Sequence, residues 1–286
     1  MRGTLGWLFV IMSLAQAVIL AVVQGLTEFL PISSSAHLAL APWLFGWRDQ
    51  GLVFDIALHL GTLAAVLIYF FRDWVQIIAQ GFGLRFGTSE ELARNPRLLW
   101  LLAAGTVPVA ITGLLLEEQV ETVFRHPVPI GIMLISVGIL MGVADRLGKR
   151  RRHLGEVGLA DCMFVGAAQA IAVIPGTSRS GITITAALFR HLDREAAARL
   201  SFLLSTPAIG GAALLAVGRL IEQGGVPAGM VAPFVAGILA SALTGCLVIA
   251  ALLRYLRRHS LKFFVYYRVI FGIIIIALAL FRPPAG

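Results

Sequence analysis

Two short stretches of this chain hold side chains able to do chemistry, and both lie in apolar surroundings. The first, Gln24 to His37, reads QGLTEFLPISSSAH. Gln24 and Glu28 are one helical turn apart and share a face. Pro31 ends that helix, and Ser33 or Ser34 is placed to cap a second one, on which Ser34 and His37 again share a face. A hydroxyl beside a histidine, with a carboxylate across the break, is an arrangement for activating the hydroxyl as a nucleophile. The second stretch, Ile174 to Thr185, reads IPGTSRSGITIT. A Pro-Gly turn followed by a helix start presents free N–H groups and the positive end of a helix dipole, an anion site. Thr177, Ser178 and Ser180 add hydroxyl donors, Arg179 adds a guanidinium that can bind bidentately, and Thr183 lies on the face of Arg179. The combined set suits a phosphate group better than a carboxylate or a sugar.

Structural readings compete with this one. Ser and His can serve as hydrogen-bonding glue between helices, Arg179 can snorkel to an interface, and Arg179 and Glu28 can form a buried ion pair with no further role. Against them stands the expense of ionisable groups at membrane depth, where such residues mark function by default.

That depth follows from composition. Of 286 residues, 58% are hydrophobic and 13% charged, and the mean hydropathy is +0.89. Too little polar surface is available to cover a soluble domain. The formal charge of +8 is concentrated in the segments 146–153, 190–199 and 254–262, the pattern of topogenic charge beside membrane spans rather than of a nucleic-acid surface. Cys162 and Cys246 sit in apolar segments and read as core residues. Arg2, an apolar run and Ala15-Gln16-Ala17 imitate a signal peptide, but the run continues to Val23 and reads as retained.

Candidate crossings fall at 52–70, 98–116, 128–147, 200–221, 228–253 and 264–282. Segments 5–47 and 158–190 are apolar but broken by the two polar stretches, and each reads as a helical hairpin. The positive-inside rule puts loops 71–97, 146–153, 190–199 and 254–262 inside, and loops 117–126 and 222–227 outside. The first hairpin then enters and leaves on the outside, the second on the inside. The expected fold is an all-α polytopic membrane protein of six transmembrane helices plus two re-entrant broken-helix hairpins, an inverted-topology repeat within one integral membrane domain, 1–286. Repeat one covers about 1–147 and repeat two about 158–286, joined by the basic cytoplasmic loop 148–157. Setting Pro31 against Pro175 places Ser34 opposite Ser178 and brings Gln24 within one residue of Gln169. Two hairpin tips arriving from opposite sides then build one site near the bilayer centre.

At these residues the chain resembles the undecaprenyl-diphosphate phosphatase family of the bacitracin-resistance type, over essentially its whole length. QGLTEFLPISSSAH is similar to the family's pattern of Glu or Gln, then Glu, Phe-Leu-Pro, paired serines and His. PGTSRSGITIT is similar to its second motif, and FDIALHLGT (Phe54 to Thr62) looks like a further family segment. The resemblance implies an enzyme of the bacterial cytoplasmic membrane, its site facing the outer side, that removes one phosphate from a polyprenyl diphosphate and so recycles the lipid carrier of cell-wall synthesis. It implies Ser34 as nucleophile, Glu28 as base or metal carboxylate, His37 as general acid/base, and Arg179, Ser178, Ser180 and Thr183 as holders of the diphosphate. It also implies a divalent cation such as Mg²⁺. Many members carry Glu where this chain has Gln24, so Gln24 and Glu28 would offer a metal only one carboxylate.

Some roles stay open. His37 can itself attack phosphorus, leaving Ser33 and Ser34 as phosphate donors. Asp55 and His59, four apart on the 52–70 span, either orient the site or form an interhelical hydrogen bond. Partners are the lipid substrate and membrane lipids, with no nucleic acid; a homodimer is compatible with the sequence, which sets no oligomeric state. The competing function is a transporter or flippase of an anionic phospholipid or of phosphate, since inverted repeats with broken helices serve transport too.

Overall fold

Ser13 and Gln16 start the first helix by closing a capping box: Ser13 Oγ accepts from Gln16 N at 3.2 Å, and Gln16 Oε1 accepts from Ser13 N at 3.1 Å. The computed structural model describes residues 12–47, 51–116 and 126–281. Its helices are α1 (Leu14–Phe29), α2 (Ser34–Phe45), α3 (Gly51–Tyr69), α4 (Phe71–Gly81), α5 (Glu90–Ala93) and α6 (Leu98–Leu115). They continue as α7 (Pro127–Leu147), α8 (Leu159–Ile171), α9 (Arg179–Phe189), α10 (Arg194–Glu222), α11 (Val231–Leu256) and α12 (Lys262–Phe281). No strand occurs among the described residues.

Five helical stretches are long and apolar enough to cross a membrane: α6, α7, α10, α11 with its preceding turn, and α12. A sixth candidate is α3 taken with α4, which bends away from it by 73°. Large apolar side chains stay exposed along these elements, as in the stripe Leu239, Leu243 and Leu247 on one face of α11. Such a surface is tolerable only against lipid. The protein is a multi-pass membrane protein. Helices α1 and α8 are apolar but shorter, and each leads into a polar tip and a second helix, as expected of the two hairpins.

Three expectations change on contact with the structure. The segment 71–97, read as a loop, contains α4 and α5. In α4, Gln76 and Ile77 are buried while Phe71 and Ile78 are exposed, a helical periodicity that its charges obscured. The basic segment 190–199 is mostly helix, because Asp193 caps α10 by accepting from Ala196 N at 2.8 Å. The alignment of the two hairpins is shifted by one residue: Ser33 and Ser178, each at positive φ (78° and 68°) immediately before a helix, are the equivalent pair. That register also pairs Leu14 with Leu159, Gln24 with Gln169, Pro31 with Gly176 and Ser35 with Ser180. Proline was the conspicuous letter, but the turn's backbone sets the match. Loop 117–126 lies outside the described residues apart from His126.

Packing follows the same exchange. Helix α1 lies along α11, while its counterpart α8 lies along α6. Helices α6 and α8 touch backbone to backbone, and a Cβ at Gly166 would sit 1.9 Å from the Gly105 carbonyl oxygen. Only glycine permits this approach. Gly166→Leu should therefore destabilise the protein by about 1–3 kcal/mol or more, read as a drop in the detergent unfolding midpoint with the helical signal intact before the transition.

Ion pairs gather the basic segments at one end of the bundle. Arg199 reaches Asp73 and Glu91, Arg194 pairs with Asp145, Arg257 with Glu195, and His153 lies 2.6 Å from Asp193. Segments 71–97, 146–153, 190–199 and 254–262 thus share a face, as the charge reading required.

Candidate active site

The chain folds at each tip for a local reason. Pro31 cannot continue α1, and Leu30 is extended. After Ser33, a new helix begins whose Ala36 N is capped by Ser33 Oγ at 3.4 Å. The second tip repeats this, with Gly181 N donating to Ser178 Oγ at 3.1 Å. Gly176 has φ 89°, and a Cβ there would lie 2.5 Å from the Ile130 carbonyl oxygen, so the turn admits only glycine. A positive φ at a serine costs of order 1–3 kcal/mol and persists where surrounding bonds fix it, commonly at functional sites.

The tips meet. Ser180 Oγ donates to Leu30 O across the interface at 3.0 Å, and its counterpart Ser35 accepts from Gly176 N at 3.3 Å in the other direction. Helix α9 is sealed from lipid, with every residue from Ser180 to Leu188 buried. At the junction Ser34 Oγ donates to Glu28 Oε2 at 2.5 Å, Gln24 Nε2 donates to the same oxygen at 3.0 Å, and Arg179 Nη2 donates to Glu28 Oε1. A hydroxyl, a carboxylate and a guanidinium from the two hairpins therefore converge, with Ser34 and Arg179 each the first residue of its helix. The Glu28 side chain is 5% exposed and that of Arg179 20%, so the guanidinium is the accessible member.

The remaining candidates are placed differently. Ser33 is buried and bonds Ser35 Oγ at 3.1 Å; Thr177 is buried and donates to Ile171 O at 3.2 Å. Ser178 serves as cap, and Thr183 Oγ1, buried, donates to Arg179 O and meets Ser201 Oγ at 2.6 Å. These hydroxyls shape the turn that carries Arg179 rather than projecting into open space. His37 shares a helix with Ser34 but hydrogen-bonds elsewhere. Its Nδ1 donates to Ser33 O at 2.7 Å, which leaves Nε2 to accept from the Tyr267 hydroxyl at 2.7 Å, and its ring stacks on Phe271. His59 Nδ1 donates to Asp55 O within α3 at 2.8 Å.

Sequence reasoning missed three residues here. Ser35 is exposed at the junction, Tyr267 holds His37, and Arg268, fully buried, contacts both tips. Ser35 was legible as the third serine of the run; the other two lie at the start of a span beside a basic loop and look like topogenic residues.

The family model for the bacitracin resistance protein BacA matches residues 17–274, a range that includes both tips and α12 up to its last turns. The chain belongs to the BacA family. Among BacA relatives, the undecaprenyl-diphosphatase of Moorella thermoacetica is 47% identical over 93% of this chain and 98% of its own length. That of Geobacter metallireducens is 48% identical over 90% and 94%, and that of Thermomicrobium roseum 46% over 94% and 99%.

The divalent cation implied by the resemblance would need oxygen donors beside the Glu28 carboxylate. No group of three His, Cys, Asp or Glu side chains gathers among the described residues. Gln24 Oε1, however, is a buried oxygen with no hydrogen-bond partner, one turn from Glu28. One carboxylate and one amide oxygen, completed by substrate phosphates, is a set that suits Mg²⁺. The residues fit.

Proposed function

We propose that this protein is an integral membrane undecaprenyl-diphosphate phosphatase, releasing inorganic phosphate and returning the lipid monophosphate. The observation that carries the reading is the convergence of Ser34, Glu28 and Arg179 from two hairpins, in a chain whose relatives bear the undecaprenyl-diphosphatase name. Arg179 leaves Glu28 for the terminal phosphate, which it and the N–H groups opening α9 bind. Glu28 takes the proton of Ser34 as Oγ forms a bond to the terminal phosphorus, and the bridging P–O bond breaks to release the lipid monophosphate. Water then cleaves the phosphoserine, giving phosphate and free Ser34. Gln24 and Glu28 would hold the divalent cation, which supplies charge neutralisation on the diphosphate oxygens. His37 orients the first tip; both its ring nitrogens are engaged, which supports Ser34 over His37 as nucleophile.

A carrier needs donors for phosphate but no carboxylate at 2.5 Å from a hydroxyl, and that contact favours the enzyme over a transporter or flippase. We read the two halves, about 1–147 and 158–286, as inverted repeats, supported by the paired turns and the exchanged packing of α1 and α8. The gathering of basic segments on one face supports an orientation with that face in the cytoplasm; that the site is reached from the outer side of the bacterial cytoplasmic membrane rests on the family resemblance.

The test is phosphate release from undecaprenyl diphosphate by purified protein in detergent, with Mg²⁺ or with chelator. Release that stops on chelation and returns with Mg²⁺ is expected. Well-folded protein that releases nothing with metal present would overturn the enzyme reading.

A further inference from the structure

Arg268 on α12 is the largest fully buried side chain among the described residues, and no carboxylate pairs with it in the ion pairs found there. Its bonds instead go to backbone carbonyls. Nε donates to Leu134 O at 3.1 Å and Nη2 to Met133 O at 3.2 Å, fixing the guanidinium against α7. Nη1 donates to Pro31 O of the first tip at 3.3 Å, and Nη2 to Gly176 O and Thr177 O of the second at 3.0 Å each. Pro31 and Gly176 are the equivalent positions of the two turns. One planar group therefore binds the same carbonyl in both hairpins.

We propose that Arg268 is a positioning residue that sets the two tips in register, so that Ser34 and Glu28 on one face the anion site of Arg179 on the other. This deepens the phosphatase reading and rests on it. The physical reason is rigidity of geometry: five carbonyls turned inward at a buried point repel one another unless a multidentate donor lies between them, and only a guanidinium offers donors in several fixed directions. The side chain touches neither the hydroxyl nor the accessible face of Arg179, so it acts through the turns. The ties Ser180 to Leu30 and Gly176 to Ser35 are single bonds across the same junction and have no comparable reach.

The test compares wild type with Arg268→Lys. Lysine keeps the charge, but one ammonium cannot reach α7 and both tips together. We expect kcat per folded molecule to fall by about 30–100-fold, with KM within about threefold, since misplacement near 1 Å can remove 10²-fold while the phosphate donors remain. A kcat within threefold of wild type would overturn the proposal, as would a raised KM at unchanged kcat, which would make Arg268 a substrate-binding charge.

A second measurement needs no turnover. Thr177 is buried, and in Thr177→Cys the thiol should react slowly with a maleimide; adding Arg268→Lys should speed labelling at position 177 by at least about tenfold. Buried native Cys162 reports general loosening. With Cys246 replaced by alanine throughout, faster labelling at positions 162 and 177 alike, or at neither, overturns a role confined to the tips. Should Arg268→Lys fail to fold, Gly138→Ala replaces it, because the added Cβ lies 3.1 Å from Arg268 Cβ and pushes the base of that side chain by a few tenths of an ångström while keeping every donor. The same fall in kcat, smaller in size, is then expected, and an unchanged kcat overturns the proposal. A wild type that releases no phosphate fails the phosphatase reading itself, and the labelling comparison still decides whether Arg268 holds the tips.

Discussion

Ser34→Ala should lower phosphate release by on the order of 10³-fold or more while leaving KM within a few-fold of wild type. The hydroxyl gives its hydrogen bond to the Glu28 carboxylate at 2.5 Å, and among the serines of the first tip it is the one bonded to that carboxylate. Removing a nucleophile that acts as a unit with its base abolishes the covalent route, and the residual rate comes from bound phosphate and whatever water enters. On the proposed reading the phosphate donors of the other hairpin and the Gln24 and Glu28 oxygens all survive, which is why KM should hold. Quenching wild-type turnover in acid provides the complementary readout. Phosphoserine survives acid and phosphohistidine does not, so an acid-stable label lost in Ser34→Ala is expected. An acid-labile label that persists in Ser34→Ala and vanishes in His37→Ala would move the nucleophile to the histidine.

The second large effect concerns the buried ion pair. Arg179→Ala should destabilise the protein by about 3–5 kcal/mol, because it strands the Glu28 carboxylate without its cation. It should also remove activity by about 10²–10³-fold, the scale for deleting a donor aimed at developing negative charge. The two losses separate in the double variant Glu28→Gln with Arg179→Ala. Stranding is then relieved, and most of the unfolding midpoint should return, while turnover stays at background. An active, stable Arg179→Ala would show that the guanidinium serves neither end. A double variant as unstable as the single would assign the loss to packing rather than charge.

Much of this site can be read from the letters alone, for a definite reason. Polar groups at membrane depth cannot be hidden by solvent, so Glu28, Ser34 and Arg179 had to meet something, and the something was one another. The hairpins were legible for the same cause, because Pro31 and the Pro175-Gly176 turn interrupt apolar runs too short to cross twice. What a hydroxyl bonds to is not written in its spacing. Thr177, Ser180 and Thr183 look like phosphate donors and turn out to satisfy Ile171 O, Leu30 O and Arg179 O. Arg268 was hidden more thoroughly: its partners are backbone carbonyls, which carry no side-chain signature, and its neighbours Arg254 to Lys262 supplied an ordinary explanation for another positive charge. Helix α4 was masked by Arg72, Asp73 and Gln76, which made an amphipathic helix resemble a loop.

The equivalence of Ser34 and Arg179 has a further meaning. Each opens its helix after a serine of the same unusual backbone conformation, so the two halves deliver one scaffold twice and differ in what stands on it. The carboxylate is unshared as well, for Val173 occupies the place that Glu28 holds in the first half. A homodimer built from either half would present two serines or two arginines at this position, never one of each. One chain carrying both halves can place different side chains on the two equivalent positions, which a symmetric pair of identical halves cannot.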